Sequence, residues 1–293
     1  MSELPSVHVA VLLDEVLDWT AARTGGLIVD GTFGGGGHAR ALARIVGETG
    51  LVIGIDRDPA AIELGQARSA GLPIRLIRGN YCDLPEVLEE LGLETVDGIV
   101  LDLGLSSDQL ADSERGFSFS GTGPLDLRFD PTRGEPTWRL VNRLGEKNLA
   151  DLIYAYGEER LSRRIARAIV EQRQKSEIRT AAELADLIRR SVPRQRHERI
   201  DPATRTFQAL RIASNEELKS LDVALRRLPD CLKPGGRLAI ISFHSLEDRR
   251  VKEAFRNDPR CEALTKKPVR PTDEEIERNP RARSAKLRVA ARA

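Results

Sequence analysis

A chain of 293 residues has room for one large domain, or for a standard domain carrying a smaller one, and can bury a substantial core. Its 40% hydrophobic and 31% charged residues are those of an ordinary globular protein, and 46 basic residues against 45 acidic leave a formal net charge of +1, so global charge announces no nucleic-acid partner. Three widely spaced cysteines, Cys82, Cys231 and Cys261, form no C-x-x-C pair, which argues against a disulfide framework or thiolate zinc site and for reduced thiols in a cytoplasmic protein.

The opening stretch, MSELPSVHVAVLLDEVLDW, has acidic residues on both sides of a short apolar run, the wrong pattern for a signal or transit peptide, and no apolar stretch is long enough to cross a membrane. Four apolar runs follow, 27-LIVDG-31, 51-LVIGID-56, 74-IRLI-77 and 96-VDGIVLDL-103, each reading as a buried strand. Between them His38 to Val46, Pro59 to Ala70 and Leu84 to Leu91 repeat their apolar residues at three and four positions, as crossover helices do, and Asp58-Pro59 marks a helix start. This alternation predicts an α/β fold on a parallel sheet. The rhythm stops after Asp102, and 112-DSERGFSFSGTGPLDLRFDPTRGEP-136 reads as a long structured loop.

Three helical patterns come next, 146-EKNLADLIYAYG-157, 159-ERLSRRIARAIVEQRQ-174 and 180-TAAELADLIRRSV-192, the last opened by a capping box between Thr180 and Glu183. They predict an inserted helical subdomain. The sheet pattern resumes with a helix over 214–232, a Lys233-Pro234-Gly235-Gly236 turn and the strand 237-RLAIISF-243; 265–284 reads as an irregular excursion and 284-SAKLRVAA-291 as an edge strand. The expected boundaries are 1–108 and 206–293 for the sheet domain and 109–205 for the insertion.

The stretch 30-DGTFGGGGH-38 lies between a strand and a helix, where glycine lets the backbone bend sharply and approach a ligand closely; a nucleoside cofactor fits there, and a purely structural turn is the alternative. No G-x-x-x-x-G-K-[ST] occurs, and the crowded Gly34 to Gly37 run lacks the usual G-x-G-x-x-G register, which argues against both ATP and NAD. Asp56, ending the next strand, can accept hydrogen bonds from both ribose hydroxyls or cap the helix after it. The third strand leads into 79-GNYCD-83, and the fourth ends in Asp102 beside Gly104, Ser106 and Ser107. In an open α/β sheet such strand ends converge on the crevice where strand order reverses.

The four histidines, His8, His38, His197 and His244, show no paired ligand spacing, so no metal is expected and a zinc deaminase lacks its ligands. His38 and His244 fall near the cleft, His244 either touching substrate or capping the helix that follows. Phe117, Phe119, Phe129 and Trp138 are candidates for stacking on a base or for core packing. The arginine-rich run 189-RRSVPRQRHER-199 and the tail from Arg260 to Arg292 would attract an RNA backbone or stand as solvated surface.

Taken together, 8-HVAVLLDEV-16, 30-DGTFGGGGH-38, 54-GIDRDPAAI-62, 99-IVLDLGLSS-107, 114-ERGFSF-119, 123-GPLDLRFDP-131, 202-PATRTFQALRI-212, 240-IISFHSLEDRRVK-252 and 279-NPRARSAKLR-288 make a chain that resembles the RsmH, or MraW, family from His8 to nearly its last residue. The resemblance implies a class I, Rossmann-like methyltransferase sheet with an inserted helical subdomain. It implies methyl transfer from S-adenosyl-L-methionine to N4 of a cytidine in the decoding centre of bacterial 16S rRNA, with 16S rRNA in the 30S subunit as partner. Carried over by motif, Gly36, Gly37 and His38 would contact the methionine portion of the cofactor, Asp56 the ribose, Tyr81 the adenine neighbourhood, and Asp102 with Gln109 the inner cleft. Tyr81 stands where relatives often have Phe. Ser106-Ser107-Asp108-Gln109 stands where they often read S-S-P-Q, so the loop carrying Gln109 lacks a proline's rigidity.

Transfer from a sulfonium chiefly requires sulfur, methyl carbon and attacking nitrogen to be held in line with water excluded. The N4 lone pair of cytosine is delocalised into its ring, so an acceptor for an N4 hydrogen helps to localise it; Asp102, Ser106 and Ser107 are the catalytic candidates. Many amino-directed methyltransferases carry a D/N/S-P-P-Y/F tetrad at this strand end, where this chain has Asp102-Leu103-Gly104-Leu105. Two rival readings are a class I methyltransferase acting on another acceptor and a non-catalytic RNA-binding or ribosome-assembly module, against which the intact Asp56 and glycine loop stand. The sequence leaves monomer and homodimer open.

Overall fold

The computed structural model describes residues 10–119, 123–193 and 201–293; His8, His197 and positions 194–199 of the arginine-rich run lie outside them. Residues up to Asp108 and from Leu218 onward form one compact unit, and Gln109–Glu217 form a second.

The first unit is built on strands β1 (Leu27–Asp30), β2 (Leu51–Asp56), β3 (Ile74–Arg78), β4 (Val96–Asp102), β5 (Leu232–Ser242), β6 (Cys261–Ala263) and β7 (Lys286–Arg292). They lie in the order β3-β2-β1-β4-β5-β7-β6, with β7 antiparallel to both neighbours and β1 to β5 parallel. Strand order reverses between β1 and β4. In chain order the helices are α1 (Leu13–Thr20), α2 (Gly37–Val46), α3 (Pro59–Arg68), α4 (Leu84–Glu90) and α5 (Ser107–Ala111), then α6 (Thr137–Arg143), α7 (Glu146–Gly157), α8 (Ser162–Arg173), α9 (Ala181–Ser191) and α10 (Thr204–Asn215), and last α11 (Glu217–Arg227), α12 (Ser245–Asn257) and α13 (Asp273–Arg278).

Alternate residues of one strand serve opposite faces. Val29, Ile53, Ile99 and Leu238 pack with Leu88 of α4, Leu225 of α11 and Val251 of α12; Ile28, Val52, Val100 and Ala239 pack with Val16 of α1 and Leu42 of α2. Burial on both faces is why these strands read as continuous apolar runs.

The run 284–291 is not an edge strand. As β7 it is inserted between β5 and β6, buried from Leu287 to Ala291, and the edge is the three-residue β6, too short to leave a periodic signal. Residues 265–284 are more ordered than an irregular excursion: Val269 bridges to Leu287, α13 follows, and a 3₁₀ turn over Pro280–Ser284 leads into β7. The Lys233–Gly236 turn lies inside β5, where the register against β4 shifts.

In the second unit the insertion reaches Glu217 rather than 205, because α10 joins it. Gly157, at the end of α7, lies so close to the Arg205 carbonyl that a Cβ there would collide with it, and Gln208 donates to the Tyr156 carbonyl at 3.0 Å. The Asn215 side chain accepts from the Phe129 N–H and donates to the Leu127 carbonyl, both at 2.7 Å. Buried Leu125 and Leu127 therefore belong to an ordered loop, its backbone also bonded to Arg179 and Trp138. Among the described residues no helix is long and apolar enough to cross a membrane.

Candidate functional site

Three neighbouring parallel strands of the first unit end in a carboxylate: Asp30 on β1, Asp56 on β2 and Asp102 on β4. The order places them side by side across the point of reversal, where α/β sheets hold their ligands. Burial pushes the Asp30 and Asp56 carboxyls up to about 6 and that of Asp102 up to about 7. Asp30 and Asp56 also receive backbone hydrogen bonds, which favour the charged form. For Asp102 the opposing influences are the Arg281 guanidinium, which lowers the value, and Glu247, which raises it. An edge so crowded with acids favours a cationic ligand, and its affinity for one grows as protons leave.

One glycine of the loop is dictated by what lies beneath it. Phe33 is buried, and a Cβ at Gly36, Gly54 or Gly65 would collide with its ring. Gly36 also has φ +73°, in the left-handed region that glycine enters without steric cost. Gly36, Gly54 and Gly65 are thus demanded by Phe33. Gly37 opens α2, and in its first turn the backbone N–H groups of Gly37 and His38 have no carbonyl one turn back, a ready anion site beside the acids. The Asp56 carboxylate accepts from the Gly34 N–H at 2.7 Å with one oxygen and from the Asp58 N–H at 2.8 Å with the other. It is not the helix cap: Asp58 caps α3 by accepting from the Ala60 N–H at 3.0 Å.

Asp102 is fixed by its backbone, its N–H donating to Thr32 Oγ1 at 2.6 Å. Its side chain is 13% exposed, Oδ2 lies 3.8 Å from His38 Nδ1, and the buried Oδ1 has no hydrogen-bond partner. The His38 imidazole is turned inward, Nε2 lying 3.0 Å from the Val11 carbonyl. A carbonyl only accepts, so Nε2 holds the proton; burial keeps the ring neutral by lowering its pKa, and Nδ1 faces Asp102 as an acceptor. What His38 offers at the mouth of α2 is its backbone N–H.

Beyond Asp102 the chain turns at Gly104, with φ +102°, into Leu105, Ser106 and Ser107. The Ser106 Cβ lies 3.3 Å from where a Cβ on Gly34 would stand, which brings this loop against the glycine loop. Ser107 Oγ accepts from Arg281, and Asp108 is ion-paired to Arg68 at 2.8 Å. Tyr81 flanks the same edge, its Cβ 2.8 Å from where one on Gly31 would stand.

Gly36, Gly37, His38, Asp56, Tyr81, Asp102, Ser106 and Ser107 therefore share one strand-end edge. Gln109 opens the second unit and is buried there. His244 caps α12: its Nδ1 accepts from the Glu247 N–H, and the Glu247 carboxylate accepts from the His244 N–H, both at 3.4 Å. The four aromatic candidates are engaged in packing within the second unit. The Phe117 ring stacks 6.1 Å from Phe129, Phe119 meets Phe207 edge-on at 4.8 Å, and the Arg179 guanidinium covers Trp138 at 3.7 Å.

Asp30, Phe33 and Arg281 also belong to this edge, beyond the residues expected there. The first two sit inside the glycine stretch 30–38, whose Gly–Phe mixture is a readable sign of a ring packed under the turn. Arg281 stands in NPRARS, but no local spacing connects it to a loop 174 residues away.

The orphaned Asp102 oxygen, the acidic edge and the N-terminus of α2 fit a ligand that carries a cation, a ribose and a carboxylate. Among the described residues no group of three or more His, Cys, Asp or Glu side chains could hold a metal ion.

Residues 5–293 match the model of the MraW methylase family. The chain is 52% identical over 296 residues to the ribosomal RNA small subunit methyltransferase H of Rhodopirellula baltica, covering 97% of this chain and 91% of that one. It is 48% identical to the protein of the same name from Thermomicrobium roseum, over 99% and 94% of the two chains, and 49% identical to that of Coprothermobacter proteolyticus, over 96% and 95%. Likeness of this extent takes in the glycine loop, the helical insertion and the closing NPRARS stretch alike, and the chain therefore belongs to the MraW methylase family.

Proposed function

We propose that this chain transfers a methyl group from S-adenosyl-L-methionine to the exocyclic N4 of a cytidine in the decoding centre of 16S rRNA, with the 30S subunit as its substrate. The observation that carries this reading is Asp102: a carboxyl at the point of strand reversal, pushed up to about 7, with one buried oxygen unpartnered. The names of the family's close relatives support ribosomal RNA of the small subunit as the acceptor.

When bound, the cofactor supplies a methyl carbon made electrophilic by its sulfonium. The backbone N–H groups at Gly37 and His38 hold its carboxylate. Asp56, whose two oxygens keep lone pairs beyond their backbone bonds, accepts from the ribose hydroxyls, and Tyr81 borders the adenine. Gln109 is assigned to the cofactor by its motif alone. On the acceptor side ionised Asp102 would accept an N4 hydrogen, localise the nitrogen lone pair as the methyl carbon passes from sulfur to N4 and the sulfonium becomes a neutral thioether, and take up the proton that N4 releases. A carboxyl at its ordinary value would be a poor home for that proton, and one near 7 is matched to the task. Ser106 and Ser107 line the loop at the same point. The exposed arginines Arg163, Arg164 and Arg167 on α8, lining one concavity with Ala168, Glu171 and Ser191, supply positive charge for the RNA backbone.

The test is incubation with methyl-labelled S-adenosylmethionine and 30S subunits from a strain lacking the activity, followed by nucleoside analysis of the rRNA. N4-methylcytidine is expected. Label in another nucleoside would keep the methyltransferase and remove the proposed acceptor, and no label would favour a binding module.

A further inference from the structure

We infer that Arg281 is a positioning residue that clamps the Leu105–Ser107 loop against the methyl-transfer edge. One guanidinium nitrogen donates to Ser107 Oγ and the other to the Leu105 carbonyl, so a single planar group pins a side chain and a backbone oxygen two residues apart. The inference rests on the reading of that edge as the site of methyl transfer.

The clamp falls between two other anchors of the same segment. The last sheet-like bond before it is from the Leu103 N–H to the Ile241 carbonyl at 3.0 Å, and the chain then turns at Gly104 through a left-handed conformation. Past the turn, Arg68 holds Asp108 at 2.8 Å. Between these anchors Arg281 ties both Leu105 and Ser107, and Ser106 borders the glycine loop.

The clamp itself stands on a fixed base. Ala282 and Ala285 are buried, the Ala282 N–H bonds to the Asn279 carbonyl at 2.9 Å, and the Ala285 N–H bonds to the Ala282 carbonyl at 2.8 Å. Upstream, the Asn279 N–H bonds to the Glu275 backbone carbonyl, and the Glu275 carboxylate accepts from the Leu12 N–H, both at 2.7 Å. The terminal strand and the start of α1 thus hold an arginine over a loop formed early in the chain. Its charge also bears on Asp102, which faces His38 from α2, Asp30 from β1, Glu247 from α12 and Arg281 itself. Losing the guanidinium leaves the acids and the neutral imidazole, and the Asp102 ionisation moves upward.

Arg281→Gln and Arg281→Lys in the full chain test this with three readings: amide hydrogen exchange across 103–108 without cofactor, equilibrium binding of S-adenosylmethionine, and the pH–rate profile of methyl transfer to 30S subunits. Arg281→Gln should speed loop exchange about tenfold or more and lower kcat about tenfold or more, leave cofactor affinity within about threefold, and move the kinetic ionisation to higher pH. Arg281→Lys should keep the ionisation near its parental place while losing part of kcat, because an ammonium retains the charge and not the fork. Added guanidinium ion should restore part of the turnover of Arg281→Ala. Unchanged loop exchange in a folded Arg281→Gln overturns the clamp, and so does a kcat loss matched by lost cofactor binding with the pH profile unmoved. If the parent itself transfers no methyl to rRNA, the acceptor assignment fails while exchange and cofactor binding still decide the role of Arg281.

Discussion

The two units carry their charge in opposite ways. In the sheet unit the acids are sunk at strand ends and moved upward by burial toward neutrality, Asp30 and Asp56 being held by backbone N–H groups. In the helical unit Arg163, Arg164 and Arg167 stand in water on one stripe of α8, opposite its buried Ile165, Ala166 and Ile169. Arg163 and Arg164 make no hydrogen bond or ion pair among the described residues, and Arg167 only reaches Glu146 at 3.6 Å. Buried charge in fixed geometry suits one small ligand and one proton transfer, because each group is already paid for in desolvation and does not reorganise. Exposed charge on long side chains suits a polyanion, where attraction is long-ranged, additive and screened by salt. Substitutions at the sheet edge should therefore change cofactor affinity or turnover, and those on α8 acceptor affinity and its salt dependence.

The largest effect is expected at Asp102. Asp102→Asn removes the proton acceptor and should lower single-turnover methyl transfer by roughly 10²–10⁴-fold. It should not lower the melting temperature, since Oδ1 has no partner to lose and a buried charge is removed. Turnover within about threefold of the parent would take the acceptor role away from Asp102.

Asp56→Ala comes next. It removes the proposed ribose contact and the two backbone bonds to Gly34 and Asp58, and cofactor affinity measured by calorimetry should fall about 10- to 100-fold, for charge-assisted bonds of about 1.5–3 kcal/mol each. Binding of RNA should not change. Unchanged cofactor affinity would end the ribose assignment.

The titration of the same edge gives a smaller and directional effect. Asp30 and Asp56 near 6 and Asp102 near 7 hold protons in the folded state that the unfolded chain releases near 3.8. The folded state therefore binds more protons between those values, so their contribution to stability is greatest below about pH 4 and is lost as pH rises through 6 and 7. Affinity for a sulfonium runs the other way, because it is the ionised acids that attract it. Between pH 5.5 and 8 it should rise about tenfold, and Asp102→Asn should remove the part of that rise above pH 6.5. A flat profile in the parent would mean that the cation does not sense these carboxylates.

Much of this edge was legible in the sequence because its determinants are local. Buried strands announce themselves as apolar runs, and Asp56, Asp102 and the glycine loop each follow one directly. What was hidden depends on distant partners. The role of His38 is set by the Val11 carbonyl and by Asp102, the demand for Gly36 by a ring that also touches Gly54 and Gly65, and the hold on Ser107 by an arginine near the other end of the chain. The insertion's second boundary was missed for the same reason, since α10 has a helical pattern in sequence but its partner, α7, is found only by packing. The sequence leaves Phe117 and Phe129 open between base stacking and core packing, because the choice depends on Asn215, which holds their loop, and on the two rings meeting each other.

The smallest effect is the one that most sharpens the contrast between the units. Arg163 and Arg164 occupy the first turn of α8, which carries no acidic residue, so they face the positive end of the helix dipole and cost the helix about 0.3–1 kcal/mol each. Residues that weaken their own helix, remain in water and pair with nothing among the described residues are poorly explained by folding. Replacing both with alanine should leave the fold as stable or slightly more stable, and leave cofactor affinity unchanged. If each neutralises one phosphate, the slope of log affinity for 30S subunits against log salt should become shallower by about 1.4–1.8, with affinity near physiological salt reduced about three- to tenfold. A slope unaltered in the double variant would make the stripe a solvated surface after all, and the RNA would have to be held by charge elsewhere on the chain; a shallower slope with turnover of bound substrate intact would separate acceptor capture in one unit from chemistry in the other.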